Sequence, residues 1–424
     1  MSEFDKVIGY ESIKAELKKI ACVLREPERF EKLGVTIPGG IMLYGVPGVG
    51  KTLMAKCFIA ETGCKTYVIR KEKPNGDFVN EIKETFEKAK GDNTGVSIIF
   101  LDDMDKFANE DDSHVDAEEY VTVQSCIDDC KGQGVFVIAT ANDKDCMPDS
   151  LLRAGRFDKV IGMDFPKGKD AEKIIKYYLA KKKTVAEIDI EEIVRCLDYS
   201  SCAVLESVIN EAGISAGYAG KEMIEHSDLI NASIRKAFEE SECVEPVERE
   251  DLETIAIHES GHAAIAEILL PGSVSFVTVY NGSSGVTKKV LPKTFFNSKD
   301  LQEKALIITL AGKAATEVIK GVTDVGCIDD MKEAHRTIDK FVDDYCSLGF
   351  DSHILFSSTF YLGEKRDYLI VSEMTRYYQI AKRLIIENRE FYNAVLEALM
   401  DHRTITYREM QKIRERFEVR GKCL

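Results

Sequence analysis

A chain of 424 residues, 44% of them apolar and with 29 Gly and 9 Pro, has the bulk for about two to three domains and lacks the bias of a low-complexity protein. Its 57 basic and 73 acidic side chains leave a net charge of −16, which disfavours a broad electrostatic grip on nucleic acid. Twelve cysteines without a C-x-x-C pair point to free thiols in a reducing, cytoplasmic compartment, and the sequence predicts neither a secretory leader nor an apolar run of about 18 residues.

The first third alternates short β-branched runs with amphipathic stretches. Ile41–Tyr44, Thr66–Ile69, Ser97–Leu101 and Val135–Thr140 read as buried parallel strands, with helices over Lys51–Glu61 and Glu81–Lys90. That rhythm predicts a doubly wound α/β domain. Directly after the first strand, Gly45-Val46-Pro47-Gly48-Val49-Gly50-Lys51-Thr52 fits G-x-x-x-x-G-K-[ST] and opens a helix, the context in which that motif cradles phosphates. Lys51 is expected to reach the β- and γ-phosphates of a bound nucleotide, and Thr52 to ligate Mg²⁺.

The strand Ser97–Leu101 delivers Asp102 and Asp103 to its C-terminal end, where ligands bind in open α/β sheets. Asp102 is expected to hold Mg²⁺ through water, and Asp103 to orient the attacking water. Asn142, after the next strand, is a candidate sensor of the γ-phosphate. Arg153 and Arg156 follow; by spacing alone they are no more than a solvated basic pair.

From Lys169 to about Glu240 strand signals give way to helical periodicity in Ala171–Lys181, Ile190–Leu197, Ala203–Gly217 and His226–Glu239. The charged stretch around Pro246 reads as a linker. Beyond Asp251 a mostly helical domain carries a strand-like insert, Ser275–Leu291.

His258-Glu259-Ser260-Gly261-His262 is H-E-x-x-H within the helical pattern Leu252–Leu269, which Pro271-Gly272 ends. Residues i and i+4 share a helix face, so both imidazoles can meet one Zn²⁺, with Glu259 placed as general base. A catalytic zinc wants a third protein ligand. Asp324, Asp329, Asp330 and His335 are the candidates; Asp329 and Asp330 also suit the cap and first turn of a helix running through Met331, Ala334, Ile338 and Phe341.

Together these residues resemble the FtsH family of membrane-associated AAA+ zinc metalloproteases, over nearly the whole chain apart from a transmembrane N-terminus. Leu24–Pro27 through Pro38-Gly39 is similar to the segment ahead of the family's Walker A, and Leu151–Asp158 resembles its L-L-R-P-G-R-F-D stretch with Ala154 in place of proline. The resemblance implies arginine fingers at Arg153 and Arg156 that complete a neighbouring subunit's ATP site, and with them a homohexameric ring. His258–His262 resembles H-E-A-G-H with Ser260 for alanine, and Ala311–Glu317 resembles G-G-R-A-A-E-E. Continuing that match through Gly321 and Gly326 puts the third zinc ligand on Asp330. The implied organisation is an AAA+ α/β domain over 1–168, a helical lid over 169–240, a linker over 241–250 and a mainly α-helical zinc metallopeptidase domain over 251–424.

The sequence departs from the family in four places. Asp103 stands where the family carries glutamate, one methylene further from the water. The pore-loop region is several residues shorter; Phe78-Val79-Asn80 resembles its aromatic–hydrophobic–glycine motif with Asn80 in place of glycine, yet Phe78, Ile82 and Phe86 also space as one helix face. The family's arginine after Asn142 is missing, and so is a transmembrane anchor. Gly285-Val286-Thr287 resembles the family's substrate-lining edge, where an extended chain can add as a strand; an edge blunted by Lys288 and Lys289 is the plainer account.

The expected activity is ATP-dependent unfolding and processive degradation of polypeptides by a zinc endopeptidase that uses Zn²⁺, ATP and Mg²⁺. Nucleic acid is not an expected partner, and membrane contact would need partners outside the chain. The rival reading is an ATP-driven remodelling or disassembly factor whose peptidase domain serves as a scaffold.

Overall fold

The computed structural model describes residues 2–71, 77–92, 95–108, 117–185, 187–238, 249–280, 284–290, 298–323, 325–348 and 360–419. They fall into two compact units, Met1–Ala237 and Phe238–Leu424.

The first unit opens with helices α1 (Glu11–Arg25) and α2 (Pro27–Glu31). Strands and helices then alternate: β1 (Gly40–Tyr44), α3 (Lys51–Thr62), β2 (Lys65–Ile69), α4 (Phe78–Lys90), β3 (Ser97–Leu101), α5 (Glu118–Asp129), β4 (Val135–Ala141) and β5 (Lys159–Gly162). The strands form one parallel sheet in the order β2-β3-β4-β1-β5. Alternation sends Met42, Ile99, Leu101, Val137 and Ala139 to one face, and Ile41, Leu43, Ile98, Phe100, Phe136 and Ile138 to the other. Both faces of β1, β3 and β4 are covered, which is why those strands read as near-continuous apolar runs. The expected α/β fold is therefore present, with β5 as an additional, half-exposed edge strand.

Phe78 begins α4 and is 3% exposed, its ring 4.9 Å edge-on from Phe107, and Ile82 and Phe86 lie beneath the same face. Of the two readings of Phe78-Val79-Asn80, helix packing is the one the structure shows. Four helices close the unit: α6 (Lys169–Leu179), α7 (Ile190–Cys196), α8 (Cys202–Tyr218) and α9 (His226–Phe238). Side chains of Asp189 and Ser201 accept from the backbone N–H groups of Glu192 and Val204, capping α7 and α8.

The second unit is built on α10 (Arg249–Leu269), of which every residue from Ala256 to Leu269 is buried. The strand-like insert forms a hairpin, β6 (Val274–Tyr280) and β7 (Ser284–Lys289), followed by α11 (Lys299–Lys320), α12 (Ile328–Asp343), α13 (Phe360–Glu387), α14 (Arg389–His402), β8 (Thr404–Thr406) and α15 (Tyr407–Arg414). The small antiparallel sheet runs β7-β6-β8, which leaves β7 at its edge. Helices α10 and α11 approach closely because Gly261 faces α11: a Cβ there would meet the Ala311 carbonyl oxygen at 2.5 Å. Ala314 and Ala315 continue this small-residue seam within the core. Buried Glu267 accepts from the backbone N–H groups of Gly272 and Val274, holding the turn that ends α10. Most of the linker expected over 241–250 lies outside the described residues; α10 itself already begins at Arg249.

Candidate functional site

Adjacency of β1, β3 and β4 gathers the nucleotide motifs at one end of the sheet. Gly45, Gly48 and Gly50 have φ of 148°, 81° and 96°, conformations that L-residues avoid. A Cβ on Gly45 would also strike the Met163 carbonyl oxygen at 2.1 Å. Lys51 opens α3 and is buried; its ammonium donates to the Gly45 carbonyl at 2.7 Å, the Val46 carbonyl at 3.1 Å and Asn142 Oδ1 at 2.9 Å. Burial lowers its pKa, opposed by the carboxylates of Asp105 and Asp103. Thr52 Oγ1 donates to Asp102 Oδ1 at 3.0 Å, and Thr140 Oγ1 donates to the same oxygen at 2.8 Å. The magnesium-binding candidates Thr52 and Asp102 are thus already joined.

Asp103 sits in the left-handed region, φ 55°, where its N–H donates to Thr140 Oγ1. Its carboxylate pairs with Lys106 at 3.0 Å and with Arg70, at the end of β2, at 3.3 Å. Asn142 donates from its backbone N–H and from Nδ2 to Asp105, at 3.0 and 2.8 Å, so it links Lys51 to Asp105. The N-terminal end of α8 abuts the phosphate loop, with Ala203 N–H donating to the Gly48 carbonyl. Asp105, Arg70, Thr140 and Ala203 escaped the sequence reading. Only Asp105 left a local signal, as the third acid in Asp102-Asp103-Met104-Asp105.

The two arginines are not equivalent. Arg153 is exposed and makes no ion pair among the described residues. Arg156 is turned into its own chain, where Nε and Nη2 grip Asp128 at 3.1 and 2.8 Å and Nη1 donates to the Ser150 carbonyl. That bidentate pair, helped by Lys131, holds the Asp128 carboxyl down to about 2.

In the second unit, α10 carries His258 and His262 on one face and α12 brings Asp330 to them. The two Nε2 atoms are 3.0 Å apart, and Asp330 Oδ2 lies 3.1 Å from His258 Nε2 and 3.0 Å from His262 Nε2. Ligand atoms in a tetrahedral zinc site are separated by about 3.3 Å, so this triangle fits that metal. His262 Nδ1 donates to the Ile308 carbonyl at 2.7 Å, which leaves Nε2 as the metal-facing nitrogen. Burial would raise the Asp330 carboxyl, but hydrogen bonds from both histidines carry it well below the usual range. Asp329, its neighbour, is solvent-exposed and paired with Lys332 at 2.9 Å, and His335 is exposed beside Asp339. Asp324 lies outside the described residues.

Glu259 is buried beside this triangle and accepts from Thr287 Oγ1 at 2.7 Å. The close backbone of β7 depends on glycine: a Cβ on Gly285 would come within 2.4 Å of Glu259 Cγ. From the other side, a Cβ on Gly312 of α11 would reach Nε2 of both histidines at 2.5 Å. Gly285 and Thr287 fall where the sequence suggested a substrate-lining edge; the need for glycine at Gly312 was not foreseen.

Comparison with known proteins agrees with this geometry. Residues 41–165 match the ATPase family associated with various cellular activities (AAA), and residues 245–413 match peptidase family M41. The ATP-dependent zinc metalloprotease FtsH 2 of Salinibacter ruber is 30% identical over 357 residues, covering 81% of this chain and 52% of that protein. FtsH of Streptococcus pneumoniae is 28% identical and FtsH 2 of a Thermoanaerobacter strain 29%; each aligns with 97% of this chain, which spans 67% and 82% of their lengths. No described helix is long and apolar enough to cross a membrane. With the nucleotide motifs on a five-stranded parallel sheet and the His-His-Asp triangle on the helices that follow, the chain belongs to the FtsH family, an AAA ATPase module followed by an M41 zinc metallopeptidase module.

Proposed function

We propose that this chain is an ATP-driven protease in which nucleotide hydrolysis delivers unfolded polypeptide to a zinc endopeptidase site. The observation that carries the reading is the convergence of His258, His262 and Asp330 beside a buried, oriented Glu259. Zn²⁺ bound by the three residues supplies a Lewis acid and a nucleophilic water at neutral pH. Glu259, held by Thr287, accepts a proton from the attacking water and returns it to the leaving amine. Gly285 lets the backbone of β7 pass against Glu259, and the open side of β7 pairs with an extended substrate through main-chain hydrogen bonds.

In the ATPase module, the loop Gly45–Thr52 holds the phosphates, Thr52 and Asp102 hold Mg²⁺, Asp103 orients water, and Asn142 links Lys51 to Asp105. Arg153 is the better candidate for a finger reaching a neighbouring subunit, since Arg156 is engaged by Asp128. Such a finger requires a ring, and we propose a homohexamer. The ten described free thiols support a reducing, cytoplasmic setting. The test is degradation of unfolded casein with ATP, without nucleotide, and with a non-hydrolysable analogue; cleavage only with hydrolysable ATP is expected. The burial of Phe78 favours a second reading, a remodelling factor with a scaffold peptidase domain. Bound zinc and active ATPase with no peptide cleaved would select it.

A further inference from the structure

Alternate residues of β7 turn toward α10: Gly285, Thr287 and Lys289 share that face. The first two touch Glu259, as described. Two residues farther along, Lys289 is half-buried, and the charges that act on it are the carboxylates of Asp330 and Glu259. Neither lies within ion-pair distance, and among the described residues no hydrogen bond or ion pair takes up its ammonium. Burial pushes its pKa down, against the pull of the two carboxylates.

A desolvated cation without a partner is costly, and it persists where a ligand supplies the counter-charge. Within the cleft, a divalent ion balances Asp330 and Glu259, and Lys289 then remains as one uncompensated positive charge. The edge position of β7 says what kind of ligand arrives there. An extended polypeptide pairing with β7 presents every second side chain to the α10 face, the face that Lys289 occupies.

Building on the peptidase reading of this site, we infer that Lys289 forms an acidic-residue subsite of the cleft, receiving an Asp or Glu side chain of the substrate near the scissile bond. The ammonium donates a charge-assisted hydrogen bond to that carboxylate, so sequences with an acid in register bind preferentially. Lys288, one residue back, points to the opposite face of the strand and does not take part.

The test uses the full chain loaded with zinc and carrying Glu259→Gln, which retains the ligands but removes the base. Labelled extended heptapeptides that place one Glu, or one Gln, at each position in turn are titrated by fluorescence anisotropy. At one register the Glu peptide should bind roughly 10–100-fold tighter than its Gln twin, the range of a charge-assisted hydrogen bond. Adding Lys289→Met should bring the ratio to one, and Lys289→Glu should transfer the preference to a Lys peptide at that register. Zinc stoichiometry on each variant checks that the site is intact. In parallel, cleavage positions in unfolded casein are mapped by mass spectrometry for the wild type and Lys289→Met. Acids should cluster at one position beside the wild-type cuts and lose that bias in the variant. Equal Glu and Gln affinities, or a ratio indifferent to Lys289→Met, would overturn the subsite. So would a uniform fall in cleavage at all sites with binding ratios unchanged, because Lys289 would then act on the reacting carbonyl. If casein is never cut yet the Glu preference exists and depends on Lys289, the subsite stands and the peptidase reading fails; cuts without bias or preference give the reverse.

Discussion

Gly312 and His258 are in such close register that a single added methyl would occupy the metal site: the Cβ of an alanine at 312 falls 2.5 Å from His258 Nε2. Helix α11 can pass the two imidazoles only where it has no side chain. Glycine costs a helix interior about 1 kcal/mol relative to alanine, so on propensity alone an alanine here would stabilise.

Gly312→Ala is therefore expected to reverse that ordinary preference. Zinc stoichiometry should fall steeply and peptide cleavage with it, while basal ATPase, housed in the other unit, is retained. Gly285→Ala should behave differently, because its Cβ meets Glu259 and not a ligand. Zinc stays and cleavage falls. Zinc analysis and peptidase assays on both variants check this; a Gly312→Ala protein with full zinc would refute the close approach.

What was legible in the sequence is what is contiguous in it. Gly45–Thr52 and His258–His262 each bring their chemistry within one turn of backbone, and unbroken apolar runs announced the central strands. Arg70, Thr140 and Gly312 reach their sites only because β2, β3 and β4 lie side by side or because α11 crosses α10, and no local pattern encodes that; Asp105 showed only as one more acid after Asp102 and Asp103. β5 and β8 are only four and three residues long and too mixed in character to signal themselves. The packing of Phe78 was legible in its spacing with Ile82 and Phe86, but the same residues also matched a loop motif, and only burial separates the two.

Arg153 and Arg156 should part company on substitution. Arg153→Ala is expected to lower ATPase by about 10³–10⁵, as loss of an arginine finger does, with nucleotide binding nearly intact. Mixing it with Lys51→Ala subunits should restore partial turnover, since each variant supplies what the other lacks. Arg156→Ala should instead lower thermal stability, because Asp128 loses its bidentate partner. Asp128 has a depressed pKa, so its stabilising contribution is present above the usual carboxylate range and is lost as pH falls through about 2. With 35% of the Asp128 side chain exposed, that contribution is about 1 kcal/mol at most. If Arg156→Ala abolishes ATPase at unchanged stability, the finger belongs to Arg156.

Asp103 is held by Arg70 and Lys106 with its backbone in the left-handed region. If its carboxylate orients the attacking water, Asp103→Asn should lower ATP turnover by roughly 10²–10⁴. Asp103→Glu should maintain or raise turnover, because the longer side chain reaches further into the site. Steady-state ATPase on both variants is sufficient, and full turnover in the asparagine variant would assign the water to another group.

The two sites should prove chemically separable. Glu259 touches Thr287 and is not part of the ligand triangle, so Glu259→Gln should retain zinc and lose peptide cleavage by at least about 10²–10⁴. Asp330→Ala removes one corner of the triangle, so zinc occupancy and cleavage should fall together, whereas Asp329→Ala, exposed and paired only with Lys332, should change neither. None of these residues belongs to the unit that carries the phosphate loop, so all three variants should hydrolyse ATP at the wild-type basal rate. Lys51→Ala should do the converse, ending ATP use and degradation of folded proteins while short peptides that diffuse to the zinc are still cut. Zinc stoichiometry, ATPase rate and cleavage of a short peptide and a folded protein, measured across the four variants, resolve the two sites. Full zinc and full cleavage in Asp330→Ala would remove that residue from the metal site and turn attention to Asp324.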